Sequence, residues 1–166
     1  MKEYTQEEID FLIGCEKEIT EPPRKEMKIE SGSKRNGMRL KAKEHDLEFS
    51  IFMRINVDFP ENFSIGLEYL PKDERDNLML IRCNGPHGEF KGAPEPSSTH
   101  FLYHIHKAKS ENIRKNLRPE KYGEPTKEYG SYAQALSYFF KLVNVINAWE
   151  YFEDLDQLKF EWKGED

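Results

Sequence analysis

Cysteine is scarce in this chain: Cys15 and Cys83 are the only two among 166 residues. They lie far apart, no CxxC pair occurs, and no Cys/His spacing fits a zinc finger, which argues against a disulfide framework or a structural zinc site of that kind. No apolar run approaches membrane-spanning length, and there is no secretory apolar core near the start. These absences predict a soluble, cytoplasmic protein with no membrane association. Asn84-Gly85-Pro86 resembles no phosphate-cradling loop, and a dinucleotide fingerprint is missing, so no nucleotide cofactor is expected. Internal repeats and low-complexity tracts are missing as well.

What is present is charge. The net charge of -6 argues against a generic nucleic-acid binder, but its distribution is uneven. Residues 1–23 carry seven acidic and two basic side chains, and residues 148–166 repeat that balance. Residues 101–121 reverse it, with Lys107, Lys109, Arg114, Lys115, Arg118 and Lys121 against Glu111 and Glu120. Charge runs are often just solvated faces. A basic segment is also what a phosphate-bearing substrate needs.

The apolar residues are patterned, and at this length they predict one domain, 1–166, with a real core. Thr5 with Glu8 forms a capping box, and Ile9, Leu12 and Ile13 give a helical stripe that Glu21-Pro22-Pro23 is expected to end. Period-2 alternation follows. Met27 and Ile29 precede an expected hairpin loop from Ser31 to Gly37, and Met38, Leu40 and Ala42 follow it. The strongest strand signal is 47–57; Phe63 to Tyr69 and Leu78 to Cys83 supply two more. Short polar turns between them predict antiparallel neighbours. A long Gly/Pro-rich connection runs from Asn84 to Ser98, and Ser110 is placed to cap a short helix through Leu117. Ser131 with Gln134 opens a long helix expected to reach about Trp149, with Leu136, Phe139, Phe140, Val143 and Ile146 as its apolar stripe. The predicted architecture is α+β: a twisted antiparallel meander of five or six strands, with the N- and C-terminal helices packed on one face.

Four of the five histidines fall between Arg82 and Lys107. In the stretch His100-Phe101-Leu102-Tyr103-His104-Ile105-His106, alternation puts Phe101, Tyr103 and Ile105 on one strand face and His100, Leu102, His104 and His106 on the other. Three imidazoles on one face are more than packing asks for, although a single histidine is usually a hydrogen-bonded core residue. His87 follows the Arg82 strand in a Gly-flanked turn.

Three roles fit these residues. The first is metal-independent RNA cleavage, which needs a base, an acid and a cation at the phosphate. His104 and His106, roughly 6.5–7 Å apart along a strand, bracket a phosphate; His87 approaches from the loop, and Arg82 is the natural phosphate ligand. Lys109 and His100 are candidates for substrate binding, as is Lys107, although it points to the opposite strand face. The second role is metal binding, with His-x-His completed by His87 or His100 and Glu89; no carboxylate stands at a fixed spacing near the pair, and no metal ligand is assigned. The third is an acidic inhibitor or adaptor without enzymatic activity, which binds another protein through its acidic termini, Glu150 to Asp156 above all. Cys83, alternating with Met79 and Ile81, reads as core rather than nucleophile.

Two signatures, Arg82-Cys83-Asn84-Gly85-Pro86-His87-Gly88-Glu89 and His104-Ile105-His106-Lys107, resemble a family of small bacterial and phage-borne domains. That family is more distantly similar to histidine-containing toxins of the TumE type from toxin–antitoxin loci. The resemblance implies a ribonuclease-like toxin acting on RNA, neutralised by a small protein partner (an antitoxin), with Arg82, His87, His104 and His106 at the site. Phe90 stands where such sites are expected to carry a further histidine or polar residue.

Overall fold

The computed structural model describes residues 2–73, 76–87, 101–152 and 155. Among them the chain forms eight strands and three α-helices, an α+β fold on one open antiparallel sheet. The order in sequence is α1 (Gln6–Gly14), β1 (Lys17–Glu21), β2 (Lys28–Glu30), β3 (Ser33–Ala42), β4 (Glu48–Asn56), β5 (Phe63–Leu70) and β6 (Leu78–Asn84). Then come β7 (His104–Lys107), α2 (Ser110–Arg114), β8 (Gly123–Pro125) and α3 (Tyr132–Leu142). Across the sheet the order is β1-β3-β4-β5-β6-β7-β8, and β2 pairs with another part of β3. The strands outnumber the expected five or six because β1 and β8 carry little apolar alternation. Their place in the sheet is set by partners distant in sequence.

The capping box forms as the sequence dictates: the Glu8 N–H donates to Thr5 Oγ1 at 3.1 Å, and the Thr5 N–H donates to Glu8 Oε2 at 2.8 Å. Helix α1 nevertheless stops at Gly14, not at the prolines, and residues 17–21 become a strand. Lys17 explains the change. Its side chain is fully buried, and its ammonium donates to the carbonyls of Ile13, Cys15 and Val143, each at 2.8 Å. It thereby satisfies the C-terminal carbonyls of α1 and α3 together and lies 4.8 Å from the Phe49 ring centroid.

Helix α3 also ends earlier than expected, at Leu142. Asn144 takes φ 60°, the Asn144 N–H donates to Lys141 O, and the Val145 N–H donates to Phe140 O at 3.0 Å. This is a Schellman closure with asparagine in the left-handed position usually held by glycine. The predicted hairpin loop at 31–37 shrinks to Ser31 and Gly32, both at positive φ (49° and 77°), the signature of a tight hairpin turn. Ser110 does not cap α2; Lys109 is the N-cap residue, and the Ser110 N–H donates to Gln6 Oε1.

Register assigns the two faces, because directly paired residues share one. Met38↔Ile51, Leu40↔Phe49, Ile51↔Leu67, Met53↔Ile65 and Ile65↔Cys83 form the face covered by α1 and α3. There Ile9, Leu12, Leu136, Phe139 and Phe140 complete the core. No helix is long and apolar enough to cross a membrane among the described residues. The opposite face carries two parallel rows of side chains. One reads Lys28, Arg35, Arg54, Ser64, Asn84, His104; the other reads Gly37, Phe52, Gly66, Arg82, His106, Gly123.

Candidate functional site

The site lies where those rows meet β6 and β7. Register pairs Arg82 with His106 and Asn84 with His104, so all four side chains project from the face opposite α1 and α3. The strand begins at His104 rather than His100. His100 and residues 88–99, with Glu89, Phe90 and Glu95, lie outside the described residues. The Tyr103 ring packs near Phe63 and Tyr129, whereas Leu102 is exposed.

Both imidazoles are buried: His104 is 0% exposed and His106 3%. Their ring centroids are 5.0 Å apart, and that of His87 is 5.1 Å from His104, so three imidazoles form a continuous cluster. Each strand histidine is held by a backbone carbonyl. His104 Nδ1 lies 2.8 Å from Leu102 O, and His106 Nδ1 lies 3.0 Å from Glu120 O. A carbonyl only accepts, so Nδ1 donates in both, and the neutral form of each ring carries its basic lone pair at Nε2. His104 Nε2 faces Asn84 Nδ2 at 3.4 Å, and Asn84 Oδ1 accepts from Ser64 Oγ at 2.7 Å. A buried relay Ser64–Asn84–His104 thus fixes the amide and the ring together.

Arg82 is paired with Glu120 at 3.5 Å, their side chains 20% and 8% exposed. Its Nε is buried with no hydrogen-bond partner among the described residues. Burial pulls the guanidinium below its ordinary value, Glu120 opposes this, and Arg118 and Arg54 add to it. Glu120 therefore serves two groups, Arg82 through its carboxylate and His106 through its carbonyl. Gly123 closes the cluster from β8: a methyl group there would sit 3.0 Å from His104 Cδ2 and from His106 Cε1 and Nε2.

Sequence reasoning named His104, His106, His87 and Arg82, and these four are gathered here. It missed Ser64, Asn84, Glu120 and Gly123. Asn84 was within reach, since it shares period-2 phase with Arg82; Glu120 was masked by the basic residues around it. The flanking lysines go elsewhere. Lys107 lies on the helix-bearing side and pairs with Asp10 of α1 at 2.8 Å, and Lys109 pairs with Glu124 at 3.5 Å. Among the described residues no three His, Cys, Asp or Glu side chains are grouped to hold a metal ion. Cys83 is on the core face, where burial pushes its thiol up to about 12, far from a nucleophile's range. The acidic segment around Glu150 lies partly outside the described residues.

Fold and site together define a class: an open α+β sheet with one helix-covered face and one polar face bearing clustered imidazoles beside an arginine. No protein-family model, curated protein or solved structure matches the chain.

Proposed function

We propose that this protein is a metal-independent, ribonuclease-like domain that uses its imidazole cluster for proton transfer at an RNA phosphate. The observation that carries the reading is the contact series His87–His104–His106, at 5.1 and 5.0 Å, with Arg82 directly opposite His106 across the sheet. RNA cleavage of this kind removes a proton from the 2′-hydroxyl, whose oxygen attacks phosphorus, while the departing 5′-oxygen takes up a proton. His106 is assigned the base because its carbonyl-bound Nδ1 directs basicity to Nε2. His87, the more exposed ring, is assigned the acid. Arg82 balances charge on the phosphorane. His104, held by Leu102 O and Asn84, is a positioning residue between the two. The resemblance to TumE-type toxins adds the expectation of a small neutralising protein partner.

The test is cleavage of bulk RNA by the purified chain in EDTA, compared with His106→Ala, His87→Ala and Arg82→Ala. Loss of either histidine is expected to lower the rate about 10²–10⁴-fold, the usual worth of a proton-transfer group. A folded protein that cuts no RNA, with or without divalent ions, would sink the reading, as would full activity in His106→Ala.

A further inference from the structure

We propose that the face of the sheet opposite α1 and α3 is a binding track for single-stranded RNA, running from Arg35 and Arg54 across Phe52 to Arg82. This rests on the ribonuclease reading for its end point and adds the form of the substrate and the path it takes.

The first observation is a row of like charges that folding alone would avoid. Lys28 is paired with Arg35 across β2 and β3, and Arg35 with Arg54 across β3 and β4. Like charges directly opposite one another in a sheet are destabilising. Lys28 is offset by Glu30 at 2.6 Å, but neither Arg35 nor Arg54 is within ion-pair distance of a carboxylate among the described residues. Burial and the nearby Arg35 pull Arg54 below its ordinary value, and Asn62 Oδ1 accepts from its guanidinium at 3.3 Å. Glu30 also bears on Arg35 through space, so the row sets three cations against one carboxylate and keeps a net positive charge on a fixed scaffold.

The second observation is an aromatic platform in the adjoining row. Phe52 pairs with Gly66, and Gly66 with Arg82. A methyl group at Gly66 would fall 2.2 Å from Phe52 Cε1, so the ring lies over the glycine, extending from β4 toward β6. Phe52 is partly exposed. A partly exposed ring beside cations is a composition that binds an unpaired strand, with phosphates on the arginines and a base on the ring. Neighbouring strands are about 4.8 Å apart, so β3 to β6 spans roughly 14 Å, a length of a few nucleotides. A duplex keeps its bases stacked inside and has no use for Phe52. An acidic protein surface would use the arginines but not the ring.

The experiment measures fluorescence anisotropy of a labelled twelve-nucleotide RNA of mixed sequence, single-stranded or annealed to its complement. Titration uses the His106→Ala chain, so that the strand is not consumed, and a polyglutamate peptide serves as competitor. The single strand is expected to bind more tightly than the duplex. Arg35→Ala and Arg54→Ala are each expected to weaken binding and reduce the slope of log affinity against log salt by about 0.7. Phe52→Leu is expected to weaken single-strand binding on the order of tenfold without changing that slope. Duplex binding as tight as single-strand binding would overturn the track, as would Arg35, Arg54 and Phe52 variants that bind like their parent. Polyglutamate binding that matches RNA and ignores Phe52 would overturn it in favour of an acidic protein partner. The two readings separate cleanly. Cleavage by the natural chain with binding indifferent to these substitutions keeps the nuclease and removes the track; Phe52- and arginine-dependent binding without any cleavage keeps the track and removes the nuclease.

Discussion

Glu120 holds Arg82 at 3.5 Å with its carboxylate and His106 at 3.0 Å with its backbone carbonyl. One residue from the turn before β8 thus orients the cation and a proton-transfer group at once. The two links are chemically separable, because substitution of the side chain leaves the carbonyl in place.

Glu120→Gln keeps the shape and removes the charge. Arg82, already largely buried, then has no neutralising partner, and the expected cost is roughly 2–4 kcal/mol of unfolding free energy. Urea denaturation measures it. A double variant, Glu120→Gln with Arg82→Met, should recover much of the loss; if it falls by the sum of the two single changes, the pair does not carry the effect.

Tyr129→Phe removes one oxygen. That hydroxyl lies 3.0 Å from Asn84 O and 2.8 Å from His104 O, so it ties the paired ends of β6 and β7 beneath the site. Its ring is buried among Phe63, Tyr103 and Tyr138, and the phenylalanine keeps that packing. The expected loss is about 1–2 kcal/mol, with faster amide hydrogen exchange around Asn84 and His104. Unchanged exchange there would show that the hydroxyl is not the tie.

Gly123→Ala places a methyl group against both buried imidazoles, 3.0 Å from three of their atoms. Neither ring is free to swing, since each is anchored through Nδ1. Overpacking of this kind costs about 1–3 kcal/mol. The imidazole NMR resonances of His104 and His106 should shift together; a change confined to neither ring would contradict the close approach.

Lys17 links stability to pH. Burial pulls its ammonium down to about 8, against the three carbonyls and Phe49 that hold the charge. In the unfolded chain the group titrates near 10.4. From about pH 8 upward the unfolded state therefore binds more protons than the folded one, and stability attributable to Lys17 rises with pH. The slope is at most about 1.4 kcal/mol per pH unit. Below pH 8 both states are charged, and the burial cost stands in full. Comparison with Lys17→Met between pH 8 and 9.5 isolates the effect, because the tyrosines are common to both chains. A stability difference that stays flat across that window would refute it.

The parts of the fold legible in the sequence are those whose signals are local. Thr5 and Glu8 cap α1 wherever its apolar stripe docks, β4 alternates through Met53, and β5 covers the span that its apolar residues mark, although both its faces are buried over Phe63 to Leu67. The imidazole pair was legible for the same reason, since positions 104 and 106 of any strand share a face. Helix ends were not. Gly14 ends α1 because Lys17 is drawn between two helix C-termini, and Val143, which supplies one of those carbonyls, is 126 positions away. Asn144 ends α3 by adopting a conformation that a glycine would have announced.

By itself, the sequence determined the α+β class, the helix-covered face and the alternation that sets His104 and His106 on one strand face, because period and capping are properties of neighbours along the chain. The pairing of Arg82 with His106 came from tertiary register. Only the tertiary structure decided where the positive charge lies. The basic run at 101–121 is spent partly on Asp10, Glu111 and Glu124. The cations on the polar face instead come from β2, β3, β4 and β6, brought into register by pairing between strands. Charge along a chain reports composition; charge across a sheet reports register, and register is set by the burial of the opposite face.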